Sequence, residues 1–217
     1  MIEITTYNLF LFIALLLGSF LFFFYKNKDI KKSVKYLKIF CWIVIIFYVA
    51  YPLVTSFLQY RLWSSNDFAK NFLENSASLG NIDEINQSPV LEKIFGGEMG
   101  YFLFYAFNRF WINSLLVLAL SLVWLFILKY LVKYQERFFY EGETNLGFLA
   151  CLCCGWPAFV VFFVFLFIMI ILVSLVKKII FKEEYTTLGI PFVLAGLIGV
   201  VFGNIIVNYL GLSVLFI

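Results

Sequence analysis

Five stretches of the chain carry no charged side chain: Tyr7 to Tyr25, Ile39 to Leu58, Phe110 to Leu128, Leu146 to Val176 and Leu188 to Ile217. Each is long enough to meet the roughly 18 apolar residues that argue for a transmembrane helix. The fourth is too long for a single crossing. Its only punctuation is Gly155-Trp156-Pro157, where a helix-breaking glycine and proline flank an interface-loving tryptophan. The pattern therefore predicts a short or re-entrant helix before that turn and a full one after it. The last span is expected to start near Ile190-Pro191-Phe192, with Gly196, Gly199 and Gly203 forming a smooth face for close packing. The fold class that follows is all-α: a polytopic transmembrane helical bundle of five to six membrane helices in a single membrane domain, residues 1–217, without an internal repeat.

Charge then orients the bundle. Lys26, Lys28, Lys31, Lys32, Lys35 and Lys38 crowd the connection after the first span, Lys129, Lys133 and Arg137 follow the third, and Lys177, Lys178 and Lys182 follow the fourth. By the positive-inside rule all three clusters belong on the cytoplasmic side. Two of them then need an even number of crossings between them, which the turn at Gly155-Trp156-Pro157 supplies. The lysine cluster is read as a cytoplasmic loop, with contact to anionic lipid as an alternative on the same side. The first span lacks a basic leading region and a small-residue cleavage pattern, so it is expected to be a retained helix rather than a signal peptide. Gln59 to Asn108 then faces outward as an extramembrane loop with short surface helices, richer in acid (Asp67, Glu74, Asp83, Glu84, Glu92, Glu98) than in base. Arg109 is expected to anchor the edge of the third span.

Composition narrows the chemistry. Of 217 residues, 64% are hydrophobic and 13% charged, against about 25% charged in a soluble domain, so the chain is expected in a bilayer. Its 22% aromatic share is read as lipid-facing bulk and interfacial anchoring, not as a nucleic-acid stacking surface. Histidine is absent, which removes histidine-ligated metal or haem, the Ser-His-Asp triad and imidazole proton transfer. Cys41, Cys151, Cys153 and Cys154 lie in apolar segments and read as small buried hydrophobes. No metal site and no cofactor is expected. Charge-free spans argue against a midplane proton relay or a voltage sensor; any ionisable site belongs at a membrane surface.

Gly18-Ser19-Phe20-Leu21, Gly142-Glu143-Thr144-Asn145-Leu146, Gly155-Trp156 and Ile190-Pro191-Phe192, taken together in order and spacing, resemble the type IV prepilin peptidases, a family of membrane aspartyl peptidases. Gly18-Ser19-Phe20-Leu21 resembles the Gly-Ser-Phe-Leu-Asn run of that family's first helix, with Phe22 in place of the asparagine. Gly142-Glu143-Thr144-Asn145-Leu146 has the spacing of its Gly-Asp-x-Lys-Leu stretch, Gly155-Trp156 that of the pair ending the following short helix, and Ile190-Pro191-Phe192 that of the run opening a late helix. Asn113-Ser114-Leu115-Leu116, Phe202-Gly203 and Asn208-Tyr209 also fall in similar places. The resemblance covers about half of the chain.

It implies a protein that recognises or cleaves the basic leader of pilin-type proteins, in the bacterial inner membrane or, alternatively, an organellar one. Such chemistry needs two carboxylates that share a water, one as general base and one as general acid. The resemblance places Glu143 at the loop aspartate and Tyr140 at the first glycine of the family's Gly-x-Gly-Asp signature. Asp83, followed by Pro89, is the nearest imitation of the other catalytic aspartate, although the charge pattern puts it on the opposite side of the membrane. Both catalytic positions thus depart from the family. On this reading Glu136, Glu141 and Glu143 would complement a basic leader; an ordinary alternative makes them a solvated face balancing Lys133 and Arg137. The rival function is a non-enzymatic integral subunit of a larger membrane complex, whose partners are lipid and other membrane subunits.

Overall fold

The computed structural model describes residues 6–66, 69, 70, 73, 99–134, 139–182 and 186–212. Among them lie six helices and no strand: α1 Thr6–Lys26, α2 Ile30–Ser64, α3 Gly100–Tyr134, α4 Glu143–Cys154, α5 Ala158–Ile180 and α6 Gly189–Tyr209. All but α4 are long and apolar enough to cross a membrane, and the chain is a multi-pass integral membrane protein of all-α class. The charge-free runs explain the lengths. In α3, Phe110 to Leu128 spans about 28 Å at 1.5 Å per residue, close to the roughly 30 Å of a hydrocarbon core.

Two boundaries differ from the sequence reading. Most of the lysine cluster is not a loop: only Asn27, Lys28 and Asp29 form the connection, and Ile30 to Lys38 are the first turns of α2. The reason is a cap. Asp29 accepts the Lys32 backbone N–H on its carboxylate at 3.1 Å while its carbonyl takes the Ser33 N–H, so the helix starts where its free donors are satisfied. Helix also enters the expected 59–108 segment from both sides, because α2 runs on to Ser64 and α3 begins at Gly100. Most of what lies between, Asp83 included, falls outside the described residues.

Two compact units divide the chain. One comprises Tyr48–Leu115, the end of α2 and the beginning of α3. Here Leu73, Phe102 and Ala106 are buried and Tyr60, Trp63 and Phe110 pack against them, with the Trp63 and Phe102 rings edge-to-face at 5.4 Å. A π-helical turn, Phe107–Trp111, interrupts α3 in this unit.

The other unit holds α1, α2 to Phe47, α3 from Leu116, and α4, α5 and α6. Its centre is α4, of whose twelve residues ten are buried. At about 18 Å this helix is too short to cross, and the chain turns at Gly155-Trp156-Pro157 before α5 begins. Irregular backbone at that depth is tolerable only where protein rather than lipid surrounds it, and Gly155 and Pro157 are both buried. The short helix and full return helix expected from the sequence are therefore both present. The α6 glycines do the close packing: a Cβ built on Gly196 would stand 3.0 Å from Ala150 Cβ and from Leu15 Cδ2, one on Gly199 2.7 Å from Cys154 Sγ, and one on Gly203 would overlap Ala158.

Candidate functional site

Glu143 is the first residue of α4 and is wholly buried. The backbone reaches it through Gly142, whose φ of 91° lies in the left-handed region that glycine adopts without strain. A Cβ there would also meet Val34 Cγ2 at 2.9 Å. Both carboxylate oxygens are engaged. Oε1 accepts from Lys26 Nζ at 3.2 Å, and Oε2 accepts the Tyr140 backbone N–H at 3.2 Å. The Tyr140 carbonyl in turn takes the Glu143 N–H at 3.0 Å, closing the turn on itself.

Lys26 closes the site from the other side. It is the last residue of α1, and its ammonium stands 4.2 Å from the centroid of the Tyr140 ring and 5.9 Å from that of Phe22. These faces replace part of the water that a half-buried cation loses. Each charge also sits at the helix end that suits it, the lysine at the C-terminus of α1 and the glutamate at the N-terminus of α4. Gly189, the first residue of α6, leaves no room for a further group: a Cβ there would stand 2.7 Å from Glu143 Oε1. Three helix ends thus converge on one ion pair.

Some of the residues that suggested the family resemblance lie around α4. Gly18 packs against Leu149, Gly147 against Phe192 and Leu128, and Gly142-Glu143 and Gly155 begin and end the helix. Ser19, also buried, bonds to the Leu16 carbonyl of its own helix. Glu143 is buried rather than on a solvated acidic face, and it pairs with Lys26, 117 positions away. Glu141 is exposed, while Glu136, Arg137 and Asp83 lie outside the described residues.

Among the described residues the only other acids are Asp29 and Glu141; Asp29 pairs with Lys32 at 3.2 Å, and neither is a hydrogen-bond partner of Glu143. No three of their His, Cys, Asp or Glu side chains come together as a metal would require. The cysteines are free thiols, all buried, with Cys41 Sγ 3.7 Å from the Asn145 carbonyl and Cys151 Sγ 3.4 Å from Ser121 Oγ.

Sequence reasoning found Glu143 but missed Lys26, which it assigned to the lysine cluster, and it read Tyr140 only as a departure from a glycine. The available signal was that Lys26 ends an otherwise charge-free helix, and such a cation at a membrane edge calls for a partner. No family model matches this chain, and no curated protein or solved structure matches it.

Proposed function

We propose that this chain is a non-enzymatic integral membrane protein, a subunit of a larger membrane assembly, built on a prepilin-peptidase-like arrangement of helices. The observation that carries this reading is the wholly buried Glu143 paired with Lys26. A catalytic carboxylate must reach both a water and its substrate, whereas this one has both oxygens engaged and no exposed surface. The two departures from the family pattern support the same reading together. Where the pattern has aspartate, Glu143 reaches across to Lys26; where it has glycine, the Tyr140 ring covers the ammonium.

The charge around the site supports it as well. The end of the bundle that carries Glu143 holds eleven lysines against three acids among the described residues, and two of those acids are already paired. A basic leader would be repelled there. Reconstituted in proteoliposomes with a prepilin-like peptide, the protein is expected to release no product beyond that of Glu143→Gln; cleavage that Glu143→Gln abolishes would overturn the reading. A native-mass measurement after mild detergent extraction is expected to show a heteromeric assembly.

A second reading keeps the family's activity class: recognition or cleavage of the leader of a pilin-type helix. The placement of Gly18, Gly142-Glu143, Gly155 and Phe192 around α4 favours it. It requires Lys26 to release Glu143 and a second carboxylate, such as Asp83, to arrive beside it.

A further inference from the structure

The first turns of α2 concentrate positive charge where the helix itself opposes it. Lys31, Lys32, Lys35 and Lys38 fall within its first nine residues, all exposed, and Lys28 precedes them in the connection. A helix N-terminus carries partial positive charge and favours acids, yet the first turn of α2 contains none. Lys31 and Lys35, four apart, add like-charge repulsion. Asp29 relieves only Lys32, at 3.2 Å. None of Lys31, Lys35 and Lys38 has a carboxylate partner among the described residues.

These three lysines lie at i, i+4 and i+7 and so share one face of the helix. One turn on, that face continues with Trp42, 64% exposed, and then Ile46, 60% exposed. Charge gives way to tryptophan and then to aliphatic side chains, as expected along a helix passing from headgroups into hydrocarbon. Length agrees. α2 has 35 residues, about 52 Å, and its charge-free run from Ile39 to Tyr60 accounts for about 33 Å, close to one hydrocarbon thickness. The lysine turns therefore project beyond it. With Ile39 to Tyr60 filling the hydrocarbon, the 1.5 Å rise puts Lys35 and Lys38 at headgroup depth and Lys31 just outside, with a stem long enough to reach back.

We infer that the Lys31–Lys35–Lys38 face of α2, bounded by Trp42, is a binding surface for anionic phospholipid headgroups. Headgroup phosphates supply the negative charge that Lys31, Lys35 and Lys38 lack among the described residues. Ammonium groups act as point charges without a fixed fork, so the surface selects lipids by charge and not by headgroup identity. This surface does not depend on the function proposed above, because none of its residues touches Glu143.

The test uses the full chain in nanodiscs of phosphatidylcholine with a minor share of phosphatidylglycerol, and reads by native mass spectrometry the lipids that stay bound on release. Phosphatidylglycerol is expected to be enriched at least about fivefold over its bulk share, the scale set by a single surface lysine, and phosphatidylserine equally. The Lys31→Gln/Lys35→Gln/Lys38→Gln variant is expected to bind the two lipids in bulk proportion, with Lys35→Gln alone intermediate. Unenriched lipid in the wild type, or enrichment kept by the triple variant, overturns the proposal. So does loss of enrichment on adding inorganic phosphate, which would mark a site for soluble anions. Lys129→Gln/Lys133→Gln removes the same kind of charge from the end of α3 and is expected to keep most of the enrichment; a loss as large as that of the triple variant would assign the effect to the basic clusters together instead.

Discussion

Asp29 is a single residue whose chemistry fixes where a helix begins. The Lys32 backbone N–H and side chain both bond to its carboxylate and hold its pKa below the ordinary 3.8. A carboxyl with a depressed folded pKa contributes stability that is present above the unfolded value and is lost as pH falls through the folded one. The Lys32 amide resonance is therefore expected to be constant from neutral pH downward and to titrate with a midpoint below 3.8; a midpoint above that value would show that the cap does not form. Burial governs the thiols in the same direct way. Cys151, Cys153 and Cys154 are each under a tenth exposed, so maleimide is expected to leave them unlabelled in the native protein and to label them in SDS. The cysteines were legible singly, because thiols in apolar runs read as buried; the Asp29 cap was passed over, because the lysines around it read as a loop. The Lys26–Glu143 pair was not legible either. Nothing local marks a contact across 117 positions, and the lysine was hidden among five others close by in sequence.

At the scale of elements, periodicity and charge-free length carried most of the information. The buried face of α1 (Leu11, Ala14, Leu15, Gly18, Ser19, Phe22) repeats at three and four residues as a helix requires, and the turn ending α4 follows from glycine and proline alone. The lysine-rich start of α2 misled, because in a membrane protein charge density suggests a loop, although lysine is a good helix former. The α6 glycines were read as a packing face, and the structure supplies what they face. Replacing Gly199 by leucine would drive a side chain into the space of Cys154 Sγ and Phe162; overpacking of this kind costs about 1–3 kcal/mol or more. Lower thermal stability in detergent is expected, together with maleimide labelling of Cys154 without SDS. Gly142→Ala combines a positive φ with a contact on Val34 and is expected to destabilise by roughly 1–3 kcal/mol. Unchanged melting of both variants would mean that α4 is not clamped as described.

For the molecule as a whole, composition and charge-free length pointed to the environment and class before any geometry was known: an all-α protein of the bilayer. What they left open was whether the acid at the resemblance's catalytic position works or holds. The structure adds surroundings that no alignment of motifs supplies, and on them the proposed role rests: an ammonium backed by two ring faces, a backbone N–H and the start of a third helix. The central claim is that Glu143 holds α4 to α1. A double-mutant cycle on Lys26→Met and Glu143→Gln, read by reversible unfolding in mixed micelles, tests it most directly. Removing one partner of a buried pair leaves the other uncompensated, at a cost of about 3–5 kcal/mol, whereas replacing both together is far milder. The account predicts a coupling of at least about 2 kcal/mol, with the double variant more stable than either single one. Single effects that add to within about 0.5 kcal/mol would contradict it, since Glu143 and Lys26 would then act independently.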